Sequence, residues 1–155
     1  MYTVSRRRSR ALLSTLWLAV AGIGAANVAH AEAVDTLRWR ASLELRLSGY
    51  GGTSALADFP VLVTLDPATI TGFRYVDCTP QGADLRFTDA GNTVVLSHEI
   101  ETWNTSGVSR VWVRIPSLVT NQIIRAFWRN PDAPAPSSAT VWDAGFGACG
   151  ICRIR

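Results

Sequence analysis

Residues 36–48, TLRWRASLELRLS, decide the fold class of this chain. Apolar and polar side chains alternate strictly along this stretch, which places them on opposite faces of an extended strand; a helix would scatter both sets around its circumference. The stretch therefore predicts a long β-strand with one buried face, and Trp39 is expected in the core. The alternating apolar residues are Leu37, Trp39, Ala41, Leu43, Leu45 and Leu47.

The rest of the chain repeats this behaviour in short segments separated by turn residues. Val111, Val113 and Ile115 are predicted to share one face of a strand, with Trp112 and Arg114 on the other. Short strands spaced by about 10 residues, without a helical period, indicate an all-β antiparallel β-sandwich or jelly roll. The predicted strand segments after the first are 59–66, 83–89, 93–103, 109–116 and 121–129, with a further piece at 140–146.

The first 31 residues have the pattern of a signal peptide. Four arginines at positions 6, 7, 8 and 10 precede an apolar run at 11–26, and Ala29-His30-Ala31 provides a cleavage site. The run is shorter than the roughly 20 residues of a membrane span, so an uncleaved anchor is the alternative. We expect export to the periplasm, the cell surface or the extracellular space, and a single domain at 32–148.

Charge excludes nucleic acid as a partner. All 15 basic residues are arginines, and four of them lie in the predicted leader, which leaves 11 against 12 acidic residues and a net charge of −1 after cleavage. Binding to phosphate backbones requires clustered cations, and no basic patch is left.

Several blocks, in this order, resemble the family of the domain of unknown function 2341 (DUF2341), which occurs in secreted and envelope proteins. The resemblance spans about residues 37–147, and its most specific parts are GADLRFTD and EIETWN. The full set of blocks is DFPVLVTLD (58–66), GADLRFTDAGNTVVLSHEIETWN (82–104), SRVWVRIPSL (109–118), RNPDAP (129–134) and VWDAGF (141–146).

The resemblance implies a β-sandwich module with no established catalytic residues. Such modules are often followed by a laminin-G-like or concanavalin-like sandwich, and some occur with a TolQ/ExbB-type proton-channel domain. Two blocks depart from the family pattern. Leu96-Ser97-His98 stands where Leu-Pro-Tyr is common, and Phe127-Trp128-Arg129-Asn130-Pro131 stands for Tyr-Tyr-Gly-Asn-Pro. The missing glycine leaves the geometry of that last turn open.

Glu99, Glu101 and Trp103 alternate along one predicted strand and should project from one face. Two carboxylates beside an aromatic ring suit a sugar-binding surface or, as an alternative, a glycosidase. A solvated outer face is the simpler interpretation. Trp103 and Trp112 lie on the more polar faces of their strands and are the best candidates for exposed tryptophans, whereas buried ones would fill the sandwich.

Other polar groups give weaker indications. Asp84, Asp89 and Asn92 surround a turn and could offer oxygen ligands to calcium, although turn chemistry alone explains Asp89 and Asn92. His98 is expected as a packed, hydrogen-bonded core imidazole. No cofactor is predicted.

The chain ends with CGICRIR, where family members continue with a strand similar to Val-Trp-His-Leu-Ser-Asp. A shifted reading frame, which starts at the third base of each codon in this region, can encode the Val-Trp-His-Leu-Ser-Asp continuation. We therefore expect residues 149–155 to be the product of a frameshift in a longer gene. A shorter natural product is the alternative, and the nucleotide sequence of the gene distinguishes the two. Cys149 and Cys152 match a metal or redox pair by spacing only, and no role is predicted for Cys78.

Together these features predict a non-enzymatic, exported binding module for a carbohydrate or a protein partner at the cell envelope. One alternative is a structural or accessory domain of an envelope assembly with a proton channel. The other is a carbohydrate hydrolase that uses Glu99 and Glu101.

Overall fold

The computed structural model describes residues 33–136 and 141–142. The predicted signal peptide at 1–31, the segment at 149–155 with its two cysteines, and most of the predicted piece at 140–146 lie outside them. Within the described part of the chain, no helix is long and apolar enough to cross a membrane. The strands are β1 (Ala41–Arg46), β2 (Leu56–Leu65), β3 (Arg86–Asp89), β4 (Val95–Leu96), β5 (His98–Thr102), β6 (Ser109–Leu118) and β7 (Ile123–Trp128).

The strands form two antiparallel sheets, which confirms the all-β class and agrees with a β-sandwich. One sheet has the order β1-β7-β3-β4 and the other has the order β2-β6-β5. The chain passes from the first sheet to the second at Ser97, between β4 and β5. The Ser97 carbonyl accepts a hydrogen bond of 2.9 Å from the backbone N–H of Arg114 on β6, so the connecting residue is already bonded to the second sheet.

The alternation in the opening stretch is confirmed, but the strand is shorter than predicted. In β1, Leu43 and Leu45 face inward, whereas Glu44 is exposed. The residues before Ala41 do not extend the strand, because the carbonyl of Asp35 accepts hydrogen bonds from Arg38 and Trp39 and closes a turn. Leu37 is consequently 87% exposed.

The core lies between the two sheets and contains the predicted inner face of β6. Val111, Val113 and Ile115 are almost fully buried and face apolar side chains of the four-stranded sheet. The connection between β2 and β3 contains two short 3-10 helices, Tyr75–Asp77 and Pro80–Gly82. The Tyr75 hydroxyl accepts a hydrogen bond of 2.9 Å from the Ser109 N–H at the start of β6, which anchors the first of these helices to the three-stranded sheet.

A buried carboxylate connects the second 3-10 helix to the end of β7. Asp84 is fully buried. One of its oxygens accepts hydrogen bonds of 2.9 Å from both the backbone N–H and the hydroxyl of Thr79. The other accepts from the N–H groups of Arg129, at 2.7 Å, and Asn130, at 3.1 Å. Four donors therefore compensate the loss of water around one charge.

The turn after β7 keeps a left-handed conformation without glycine. Arg129 has a φ of 68°, a value that costs an L-residue roughly 1–2 kcal/mol. In this turn the N–H groups of Arg129 and Asn130 both donate to the Asp84 carboxylate, and these two hydrogen bonds hold the strained backbone in place. The geometry that the family glycine would allow is thus retained by Arg129.

Replacement of Arg129 by glycine should stabilise the protein. Relief of the left-handed strain outweighs the added freedom of the unfolded chain, so Arg129→Gly is expected to raise the free energy of unfolding by about 0.5–1 kcal/mol. Urea denaturation of the full chain measures this change. Asp84→Asn, which replaces an acceptor by a donor facing the same N–H groups, should lower it by about 2–4 kcal/mol. A destabilised Arg129→Gly protein would show that the arginine side chain, not its backbone, matters here.

Candidate functional site

The outer face of the three-stranded sheet carries the predicted acidic and aromatic residues. Glu99 of β5 lies opposite Trp112 of β6 in the ladder, and Trp112 lies opposite Leu62 of β2. Paired residues of an antiparallel ladder share a face, and Val111 and Val113 on either side of Trp112 belong to the core. Glu99 and Trp112 are therefore neighbours on the side of the sheet that faces away from the core.

A β-bulge in β5 changes which side chains point outward. Ile100 pairs with Val111 and Thr102 pairs with Arg110, so Glu101 is an inserted residue without a ladder partner. After such an insertion, the alternation of faces is shifted by one residue. Thr102 consequently lies on the outer face, and the next residue turns inward.

The prediction that Trp103 is exposed and shares a face with the two glutamates is wrong. Trp103 packs against the core, where its ring makes an edge contact with Tyr75 at a centroid distance of 5.2 Å. A Cβ on Gly82 would lie 2.7 Å from this ring, so the glycine makes room for the tryptophan. The bulge at Glu101 is the reason that strict alternation fails.

Glu99 and Glu101 each accept a hydrogen bond from a different indole. The Trp112 N–H donates to Glu101 Oε2 at 2.8 Å, and the Trp142 N–H donates to Glu99 Oε2 at 3.1 Å. The two indole rings meet edge to face at a centroid distance of 5.0 Å. We call these four side chains the Trp–Glu cluster.

Exposure is unequal within the cluster. Trp112 is only 8% exposed, whereas Trp142 is 38% exposed, and both glutamates are exposed. The expectation that Trp112 is exposed is therefore corrected: it lies on the outer face as predicted, but Trp142 packs against it. Sequence reasoning did not single out Trp142, because the residue follows a Pro-, Ala- and Ser-rich stretch of sequence whose composition predicts no register. The VWDAGF block was the signal that could have drawn attention to it.

The cluster offers two kinds of contact to a ligand. The half-exposed Trp142 ring is an apolar platform, and the two carboxylates provide hydrogen-bond acceptors beside it. Arg110 is exposed on the same face, opposite Thr102, and adds a donor nearby. Polar groups around an aromatic surface suit a hydroxyl-rich ligand such as a sugar.

The three residues considered for calcium are engaged in internal hydrogen bonds. The two oxygens of Asp84 together accept four such bonds. Asp89 accepts from the N–H and hydroxyl of Thr93 and from the N–H of Val94. Asn92 accepts from the Val34 N–H at 3.0 Å. Among the described residues, no group of three or more His, Cys, Asp or Glu side chains could hold a metal ion.

The same hydrogen bonds explain the acidity of Asp89. Burial by itself would raise the pKa of this carboxyl, but donors from Val94, Thr93 and Gly91 together hold it below its usual value. A carboxylate with a lowered pKa stabilises the fold above its ordinary pKa and loses that contribution as the pH falls through the lowered value. Asp89 therefore supports the β3–β4 turn at neutral pH.

Cys78 is a partly buried thiol beside two carboxylates. Burial raises its pKa to about 12, and the negative charges of Asp84 and Asp77 act in the same direction. Reactivity and metal binding require the thiolate, so this side chain stays protonated at neutral pH and fills space against the core.

His98 packs as predicted. Its ring makes an edge contact with Phe87 at 5.3 Å and is hydrogen-bonded to the backbone of Leu96. Within the described residues, its buried Nε2 has no partner. Burial lowers the pKa of His98 to about 4, and the positive charge of Arg86 contributes in the same direction. The imidazole is therefore neutral in the folded protein at neutral pH.

This neutral histidine makes the fold sensitive to acid. The unfolded chain binds a proton near pH 6.5, whereas the folded chain does so near pH 4, so stability falls as the pH decreases between these values. His98→Phe keeps the aromatic contact and removes the titration. Urea unfolding from pH 7 to pH 4 should show a loss on the order of 3 kcal/mol in the parent that is absent from the variant. Equal losses in both proteins would rule out His98 as the cause.

Comparison with known proteins agrees with the family resemblance. The model of the family described as "Domain of unknown function (DUF2341)" matches residues 81–143, which include β3 to β7 and the whole Trp–Glu cluster. The match confirms the resemblance of the GADLRFTD and EIETWN blocks. No curated protein and no solved structure matches the chain.

Proposed function

We propose that this chain, whose residues 81–143 match the DUF2341 family, is an exported, non-catalytic binding module that holds a carbohydrate on the outer face of its three-stranded sheet. The single observation that carries the proposal is the Trp–Glu cluster. Two indoles meet edge to face there, and a different glutamate fixes each of them. An aromatic platform with fixed acceptors beside it is suited to the apolar face and hydroxyl groups of a sugar ring.

The fixed geometry of the cluster supports binding. Glu99 belongs to β5 and Trp112 to β6, so their backbones are held in register by the ladder. The hydrogen bond between Glu101 and Trp112 orders both of these side chains before any ligand arrives. Preordered groups lose less conformational entropy on binding, which increases affinity without new contacts.

The arrangement supports binding more than hydrolysis. Glycoside hydrolysis requires two carboxyl groups that flank one scissile bond and act from opposite sides of it. Glu99 and Glu101 instead arise from one strand and are directed to two different indoles. We therefore propose that both glutamates orient the tryptophans and accept hydrogen bonds from a ligand.

The proposed location rests on the leader. The basic, apolar and small-residue regions of positions 1–31 favour cleavage after Ala31 and release into the periplasm or to the cell surface. The N-terminus of the processed protein is then Glu32, which N-terminal sequencing of the exported product determines. A product that keeps the leader would favour a membrane anchor.

Loss of the exposed indole should abolish most of the binding. A glycan array probed with the purified full chain identifies a ligand, and calorimetry then compares variants. Trp142→Ala and Glu99→Gln are each expected to weaken binding about tenfold, because one removes the platform and the other its fixed acceptor. The matched controls are Leu37→Ala, which removes another exposed apolar side chain, and Glu44→Gln, which removes an exposed carboxylate of the other sheet.

The controls decide between the outcomes. Unchanged affinity in Leu37→Ala and Glu44→Gln, with weakened binding in the two cluster variants, supports the proposed surface. Unchanged binding in Trp142→Ala and Glu99→Gln rejects it. If no glycan binds and a pull-down captures a protein through this face, the carbohydrate proposal is wrong and the protein partner replaces it.

A further inference from the structure

A second concave surface lies over the outer face of the four-stranded sheet, on the side of the sandwich away from the Trp–Glu cluster. It is an open cleft of about 470 Å³, within the range of pockets that hold small ligands. We call it the Trp39 cleft. Its lining includes Val34, Arg38, Trp39, Arg86, Val95 and Pro134.

Side-chain hydrogen bonds fix the walls of the Trp39 cleft. The Asn92 amide accepts from the Val34 N–H at 3.0 Å and donates to the Val34 carbonyl at 2.8 Å, as a neighbouring strand would. The Trp39 N–H donates to the Asp84 carbonyl at 2.7 Å. The cleft is thus preformed rather than a gap between loose segments.

Arg86 forms the inner side of the cleft. It is only 7% exposed, and its guanidinium donates to the carbonyls of Ala83, Leu85 and Pro134. The same guanidinium lies over the Trp39 ring, 5.6 Å from its centroid, in a cation–π contact. Its three bonded acceptors are neutral carbonyls, but the negative charge of Asp84 acts on the same guanidinium. Part of the positive charge of Arg86 is therefore balanced inside the protein.

Arg38 brings a second cation to the mouth of the cleft. Its side chain is 68% exposed, and its ion pair with Asp35, at 3.7 Å, has weak geometry. Exposed pairs of this kind contribute little to stability, so Arg38 can leave Asp35 and pair with a ligand carboxylate at low cost. Val34, Val95 and Pro134 provide apolar contact around Arg38.

We propose that the Trp39 cleft binds a ring-shaped ligand that carries a carboxylate, as a hexuronic acid residue of an acidic polysaccharide does. Arg38 pairs with the ligand carboxylate, and the apolar walls contact the ring. This chemistry is opposite to that of the Trp–Glu cluster, whose carboxylates disfavour an anion. The inference goes beyond the proposed function, since it concerns another site and another class of ligand.

Nuclear magnetic resonance of the full chain tests this site directly. The Trp39 indole N–H reports on the cleft, and the probe is a short oligomer of glucuronic acid, with a glucose oligomer of the same length as its neutral counterpart. The acidic oligomer should produce a saturable shift of this resonance, and Arg38→Gln should weaken the binding about tenfold through loss of a charged hydrogen bond.

Arg40→Gln is the matched control. It removes the same charge two residues further along the chain, from an exposed position outside the cleft lining, and should leave the affinity within about twofold. Three results would each overturn the proposal: no shift of the Trp39 resonance, equal weakening in both arginine variants, or equal binding of the neutral oligomer.

Two further measurements distinguish a uronic acid site in the Trp39 cleft from a general anion site and from binding at the Trp–Glu cluster. Inorganic phosphate that displaces the acidic oligomer at equal concentration would show a general anion site and overturn the assignment to a uronic acid. Trp142→Ala should leave binding of the acidic oligomer unchanged. If Trp142→Ala abolishes binding of the acidic oligomer, the ligand binds the Trp–Glu cluster and the Trp39 cleft is rejected. The proposed function is tested separately: failure of the Trp–Glu cluster to bind neutral glycans would not change the expected binding of the acidic oligomer to the Trp39 cleft.

Discussion

The buried carboxylate of Asp84 is the interaction on which the rest of the structure depends. A fully buried charge is tolerated only when hydrogen bonds replace its water, and here the donors come from two distant segments, at Thr79 and at Arg129-Asn130. The need of the Asp84 carboxylate for hydrogen-bond donors thus determines where the β2–β3 connection ends and how the chain leaves β7. It also explains why Arg129 adopts a conformation that its own Cβ disfavours.

The positions of the two outer surfaces follow from this arrangement. The Asp84 carbonyl holds the Trp39 indole, and Arg86, two residues further along, holds the chain at Pro134 after it has turned at Asn130. The Trp39 cleft is therefore built by the same block of sequence that anchors the core. The Trp–Glu cluster depends instead on the β5–β6 ladder, so the two surfaces can vary independently.

The sequence predicted those parts of the fold that depend on local periodicity. The alternation of apolar and polar residues correctly predicted the inner faces of β1 and β6, because neither of these strands contains an inserted residue. Trp103 was misplaced because the insertion at Glu101 is invisible to a period of two. Trp39 was expected in the core as part of the first strand. The turn closed by Asp35 includes Trp39, so the strand begins only at Ala41, and Trp39 is half-buried at the Trp39 cleft. Burial of Trp112 could not be predicted at all, since it depends on Trp142, which follows in a separate segment of the sequence.

The satisfied indoles of the two surfaces bear on how a ligand could be selected. The N–H groups of Trp112 and Trp142 donate to glutamates, and that of Trp39 donates to a carbonyl, so none of these three indole donors is left to bind a ligand hydroxyl. The rings then contribute apolar area alone, which discriminates poorly among ligands of similar shape. In the proposed binding, discrimination would therefore rest on the charged groups near each ring: the carboxylates beside Trp142 and the Arg38 guanidinium near Trp39. If both proposed sites bind ligands, the two aromatic surfaces are expected to differ in their preference for ligand charge.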